Sequence, residues 1–227
     1  MSLKGNVQNG KIGVLTYAVP HRKTYDVLCL LKAKGYQNVE VYALPLHYTK
    51  RKFPLIEHRP PAPNIDPHEI CNGFGYKYVK EFNVHSFPQN GIVLLCGGGI
   101  LTPEIYNTFR VINSHPGYLP YVRGLDALKW AICEDLPIGV TTHRIGGAVD
   151  AGLVIAQETI PLYKNDSFHT LALRQYETEV RLMVDSIEMI DDASNYIAAT
   201  GEIRKRMPPE LEMTLVERFD EYKRKHS

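Results

Sequence analysis

Three features of this chain predict an α/β protein built on a mostly parallel sheet with helices on both faces: short apolar runs that read as buried strands, helix-spaced segments between them, and glycines that bound both. Lys11-Ile12-Gly13-Val14-Leu15-Thr16-Tyr17 is the first run, and Thr24 to Gly35 follows with apolar residues at Val27, Leu28 and Leu31 before a glycine stop. Asn38 to Leu44 alternates as a second strand, and Gly91 to Cys96 is a third buried run. Thr102-Pro103-Glu104 has the cap residue and first-turn proline of a helix start, where the missing proline N–H costs nothing. Val111-Ile112-Asn113 is a short strand, Ala127 to Glu134 a helical segment, and Gly139 to Ile145 and Leu153 to Pro161 are strands around a loop from Gly146 to Gly152. Asp166-Ser167 caps a long amphipathic helix, apolar at Phe168, Leu171, Ala172, Tyr176, Val180, Met183, Ile187 and Ile190. The tail from Pro208 reads as a charged amphipathic helix with Leu211, Leu215, Val216 and Phe219 on one side. The order is Rossmann-like, and the chain divides into a body over residues 1–200 and a C-terminal helical extension over 201–227.

Composition narrows the class. At 227 residues, 44% hydrophobic and 22% charged, the chain buries one sizeable core, and a formal net charge of +1 gives no global field for nucleic acid or an anionic membrane. No apolar run approaches the ~20 residues that span a bilayer, and Met1 to Asn6 lacks the apolar centre of a signal peptide, so a cytoplasmic protein is expected. Cys29, Cys71, Cys96 and Cys133 stand too far apart for a dithiol or metal motif, and the nine histidines do not fall at ligand spacings; the expectation is reduced thiols and no metal.

The chemistry concentrates after the fourth strand. Asn113-Ser114-His115-Pro116 is followed by Leu119-Pro120, by Arg123-Gly124 and, 35 residues after the histidine, by Asp150. Residues two apart in an extended segment share a face, so Asn113 and His115 can point at one reacting atom. Asn-x-His-Pro alone is also an ordinary turn sequence. The ordered set of Asn113, His115, Leu119-Pro120, Arg123-Gly124, Gly139-Val140-Thr141 and Asp150-Ala151-Gly152 resembles the folate-dependent formyltransferase family, which includes glycinamide ribonucleotide, methionyl-tRNA and nucleotide-sugar N-formyltransferases and a formyl-folate hydrolase.

That resemblance implies a formyltransferase fold, 10-formyltetrahydrofolate as donor and a primary amine as acceptor. Asn113 and His115 would donate to the oxyanion of a tetrahedral intermediate, and Asp150 would hold the imidazole and assist proton transfer. It also implies a folate pocket between Gly97-Gly98-Gly99-Ile100-Leu101 and Arg144-Ile145-Gly146, where small residues allow backbone recognition. For the acceptor, His21, Arg22 and Lys23 at a helix start make an anion site, beside Arg123 and Gly124; three solvated charges are the bland alternative. A basic, proline-rich stretch from His47 through Lys50-Arg51-Lys52 to Pro63 is longer than ordinary connections and reads as a substrate-facing loop or a mere insertion. Only a short tail follows the long helix, so charged tRNA is not the expected acceptor. A small amine, such as an amino sugar on a nucleotide, is the leading expectation, with a hydrolase passing formyl to water and a non-catalytic folate-binding relative as alternatives. A homodimer is compatible with the resemblance.

Overall fold

The computed structural model describes residues 10–46, 54–81, 83–88, 91–99, 101–147, 150–193, 195–197 and 202–227. Its centre is an eight-stranded sheet in the order β3-β2-β1-β4-β5-β7-β8-β9. The strands are β1 (Ile12–Tyr17), β2 (Val39–Leu44), β3 (Lys77–Val79), β4 (Ile92–Leu95), β5 (Arg110–His115), β7 (Gly139–Ile145), β8 (Gly152–Thr159) and β9 (Asn195–Ile197). From β3 to β5 the pairing is parallel; β7 then runs antiparallel to β5, and β8 and β9 continue the antiparallel half. β1, β2 and β4 are buried almost throughout, as unbroken apolar runs require in a sheet covered on both sides. Two short strands, β6 (Arg123–Gly124) and β10 (Ile203–Arg204), form a separate parallel pair.

Helices α1 (Arg22–Ala33) and α5 (Phe168–Met189) cover one face, and the stripe read from the sequence is the one they bury: Val27, Leu28 and Leu31 meet Tyr176, Val180, Met183 and Ile187 against β1 and β4. The other face of the parallel half is closed by Phe87 and Phe109 packed on Tyr42, Val93 and Val111. A third core lies under α4 (Ala127–Cys133) and α7 (Leu215–His226), where Leu215, Phe219 and Tyr222 pack on Leu128 and Ile132. The tail thus docks on the body as two helices, the short α6 (Pro209–Glu212) and α7, and it opens with a strand that the helical reading did not include. The expected long loop after β2 is also interrupted: α2 (Pro67–Phe74) starts at Asp66, whose carboxylate and that of Glu69 cap each other's backbone, with Pro67 in the first turn. His47, Lys50, Arg51 and Lys52 lie outside the described residues. Ser167 caps α5 by accepting from Thr170 N at 3.1 Å, while Asp166 grips the Arg174 guanidinium in a two-pronged pair at 2.8 and 2.9 Å.

Behind β5 sits one buried carboxylate. Glu179 on α5 is 1% exposed and is paired with Lys23 at 2.8 Å and with Arg59. Burial opposes its ionisation, but the two cations prevail and hold the carboxyl at about 2. Lys23 also donates to Ser114 O at 3.1 Å, and Ser114 Oγ donates to Glu179 O at 2.9 Å, so the middle residue of the Asn-Ser-His triplet is fastened to α1 and α5 together.

Burial, reinforced by neighbouring cations, keeps His21 at about 4 and His58 at about 3, and burial beside His115 keeps His143 at about 4. The unfolded chain protonates each near 6.5 and the folded chain does not, so stability falls as the pH drops below about 6.5 and continues to fall towards about 4. Each contributes up to about 1.4 kcal/mol per pH unit inside that window. Urea unfolding between pH 7 and pH 5 should therefore show a falling free energy that His58→Gln makes shallower; equal slopes in the two proteins would contradict the assignment.

Candidate active site

β5 delivers the motif by simple alternation: Ser114 faces α5, and Asn113 and His115 face the other way. Asn113 stands opposite His143 in the antiparallel register with β7, and His115 opposite Thr141. The chain then turns through Pro116 and Gly117, whose carbonyls accept from Gln175 and Thr141, and through the cis Leu119–Pro120 bond, where Thr141 and Gln157 take the Leu119 N–H and C=O. This fixes the path to β6.

β6 and its flank supply partners for both members of the His115–Asp150 pair. The Val122 carbonyl accepts from His115 Nε2 at 2.8 Å, and the Gly124 N–H donates to Asp150 Oδ2 at 2.6 Å. His115 Nδ1 faces Asp150 Oδ1 at 3.4 Å, within ion-pair reach though longer than a short hydrogen bond. Because a carbonyl only accepts, Nε2 carries a proton, and a further proton at this pair lodges between Nδ1 and the carboxylate. Asp150 itself has φ 47°, a left-handed conformation that few residues other than Gly, Asn and Asp adopt, and the Gly146 N–H bonded to Ala151 O at 3.1 Å closes the loop that carries it.

A cavity of about 340 Å³ opens beside these groups, lined by Leu95, Gly99, Leu101, Pro103, Tyr106, Asn113, His143, Ile145, Gly146, Gly147 and Asp150. It therefore lies beyond the carboxyl ends of β4 and β5, where ligands of open α/β sheets bind. Of the residues expected to hold folate, Gly99, Leu101, Ile145 and Gly146 line it; Gly97, Gly98 and Arg144 do not, and Ile100 lies outside the described residues. Gly97 packs against the Tyr17 ring and Gly98 against Leu15 and Leu95, so both serve the loop's underside. A larger groove of about 440 Å³ between α1 and α5 contains none of the motif residues. The smaller cavity is the candidate site because Asn113, His143 and Asp150 line it.

Two expectations change. His115 is 4% exposed and is absent from the cavity lining, with both nitrogens turned to Val122 and Asp150, so it reaches the cavity through Asp150 rather than by a direct N–H. The imidazole on the wall is His143, whose Nε2 lies 3.2 Å from the Asn113 amide nitrogen. Burial and the His115 ring hold His143 at about 4, so it is neutral at pH 7 and accepts from Asn113, leaving the second amide hydrogen for the cavity. Nothing local in the sequence marks His143; it is found only from the antiparallel register of β5 and β7.

The expected anion trio is likewise committed to the protein. His21 precedes α1 with Nδ1 2.8 Å from Thr24 Oγ1, Arg22 pairs with Asp26 at 2.6 Å, and Lys23 is held by Glu179 and Ser114. Arg123 is 2% exposed inside β6, and the Gly124 N–H is taken by Asp150, so Arg123 is buried and Gly124 supports the His115–Asp150 pair instead of standing open to an acceptor. No helix among the described residues is long and apolar enough to cross a membrane.

Residues 80–187, which include Asn113, His115 and Asp150, match the sequence model of the formyl transferase family. The chain is 30% identical over 133 residues to the methionyl-tRNA formyltransferase of Agathobacter rectalis, covering 57% of this chain and 41% of that one. It is 33% identical over 85 residues to the dTDP-4-amino-4,6-dideoxyglucose formyltransferase of Mycobacterium tuberculosis, covering 37% and 36%. The chain spans less than half the length of the curated relatives it matches. Among solved structures, formyltransferase PseJ from Anoxybacillus kamchatkensis, in complex with UDP-4,6-dideoxy-4-formamido-L-AltNAc and tetrahydrofolate, is similar with a TM-score of 0.54 and 25% identity over 87% of this chain and 86% of that one. The ordered motif lies within the matched segment, and over that segment the chain is similar to the formyl transferase family.

Proposed function

We propose that the chain is an N-formyltransferase that moves a formyl group from 10-formyltetrahydrofolate to a primary amine on a small substrate, a nucleotide-linked amino sugar. The observation that carries the proposal is the meeting of Asn113 and Asp150 on one cavity wall, with the His115 ring seated against the carboxylate from behind. The likeness to an enzyme whose structure holds a UDP-linked formamido sugar and tetrahydrofolate supports the acceptor class.

The cavity suits a flat, partly polar ring: Leu95, Leu101, Pro103 and Ile145 give apolar walls, and the backbone at Gly99 (φ 66°), Gly146 and Gly147 comes close without a side chain in the way. Bound there, 10-formyltetrahydrofolate supplies the formyl group. Asn113, steadied by neutral His143, directs its remaining amide hydrogen at the oxygen on which negative charge develops, a stabilisation that needs no reorganisation during reaction. Asp150 takes the proton lost by the attacking amine. That proton lodges between Oδ1 and His115 Nδ1, where the Val122 carbonyl and the Gly124 N–H keep the two groups aligned, and it passes to the folate nitrogen as the bond from that nitrogen to the formyl carbon breaks and tetrahydrofolate leaves.

The test is tetrahydrofolate release from 10-formyltetrahydrofolate by the purified chain, with and without a panel of amines that includes nucleotide-linked amino sugars, using His115→Ala as the blank. Release should require an amine and should fall about 10²- to 10³-fold in Asn113→Ala. Asp150→Asn, which keeps the shape but cannot hold the proton, should be similarly impaired at an unchanged melting temperature. Amine-independent release, or parental turnover in either variant, would sink the proposal. A second expectation concerns the wall histidine: His143→Ala should lower kcat about 10-fold by freeing the Asn113 amide, and His143→Gln, which retains an acceptor, should recover most of the loss. Equal rates in all three proteins would remove His143 from the site.

A further inference from the structure

The C-terminal extension reaches the site through a backbone relay. β10 pairs in parallel with β6, with Ile203 opposite Arg123 and Arg204 opposite Gly124, and Leu125 N donates to Arg204 O at 2.8 Å. Gly124 has φ 92°, and a Cβ there would stand 2.2 Å from the Arg204 carbonyl oxygen, so only glycine allows β10 to lie this close. Side chains from the loop after β6 and from α4 then lock β10 in place. Trp130 Nε1 donates to Lys205 O at 2.9 Å, Asp126 Oδ2 accepts from Met207 N at 3.0 Å, and the Arg204 guanidinium lies 5.1 Å over the Trp130 ring while pairing with Glu134 at 2.7 Å. Clamped in this way, β10 braces β6, where the Val122 carbonyl just before the strand meets His115 and the Gly124 N–H meets Asp150.

We propose that β10, anchored by Arg204, is a positioning strand for the His115–Asp150 pair, acting through the Val122 carbonyl and the Gly124 N–H of the β6 turn. None of its residues touches the cavity. The role rests on the reading of Asp150 as the proton acceptor, yet the alignment it asserts is visible without turnover. A 2.6 Å N–H to carboxylate bond gives the Gly124 amide a strongly downfield proton resonance and slow exchange, and both report whether β6 is held.

The experiment compares the full chain with Arg204→Ala, Arg204→Lys and Trp130→Phe, each checked for native circular dichroism, by the ¹H–¹⁵N resonance and hydrogen exchange of Gly124 and by steady-state kinetics. In Arg204→Ala the Gly124 amide should move upfield and exchange at least about 10-fold faster. There kcat should fall about 10- to 100-fold while KM for the formyl donor stays within about twofold, because misplacing a proton acceptor slows the reaction without weakening binding. Trp130→Phe should shift the same resonance in the same direction, and Arg204→Lys, which keeps the pair with Glu134, should recover part of the loss. A Gly124 amide identical to the parent's in folded Arg204→Ala and Trp130→Phe would overturn the proposal, as would an altered amide with undiminished kcat. A displaced amide in a chain that never turns over formyl donor would uphold the alignment and defeat the reaction assigned to the site.

Discussion

A single carboxylate, that of Glu179, fixes the place of everything chemical in this molecule. It lies on α5, beneath the sheet, and its removal from water is tolerable only because Lys23 from α1 and Arg59 from the segment before α2 both reach it. Three pieces of chain distant in sequence are thereby pinned to one point, and the Lys23 bond to Ser114 O passes that constraint to β5. With both cations gone the buried charge would be uncompensated, so the group specifies the arrangement even where an apolar substitute would serve stability as well. Asn113 and His115 inherit their positions from it, being the residues on either side of Ser114.

The site above that anchor is made largely by backbone. His115 is oriented by a carbonyl, Asp150 by an N–H, and the cavity rim by the loops after β4 and β7. Main-chain groups on a packed sheet move less than long side chains, which suits a site where one carboxamide, one carboxylate and one imidazole must keep their alignment. The strain stored at Asp150, in a left-handed conformation, belongs to the same design: two hydrogen-bonding partners and the closed loop hold a backbone geometry that the residue alone would leave.

The sheet was legible where burial on both faces writes an unbroken apolar run, as in β1, β2 and β4, and α5 was legible from its cap and stripe. β3, β6, β9 and β10 are two or three residues long; periodicity has no room to appear in them, and they exist because a partner strand is present. α2 was missed although Asp66-Pro67-His68-Glu69 spells a capped helix start, because the prolines before it read as loop. In the site, Asn113 and Asp150 could be read from an ordered motif. His143 could not, since its meeting with Asn113 depends on strand register, and Lys23 reads as a ligand-facing cation because the carboxylate that claims it lies midway along α5, more than 150 residues further along the chain.

The β6–β10 pair also sets a schedule. A chain leaving the ribosome completes the parallel half of the sheet first, and by residue 159 both β7 and β8 are available, so the cavity walls precede the tail. The strand that fastens β6 and the helix that packs on α4 follow more than forty residues later. Until they arrive, the turn that aligns His115 and Asp150 has no outer partner, and the pair stands unbraced beside a cavity whose walls are already made.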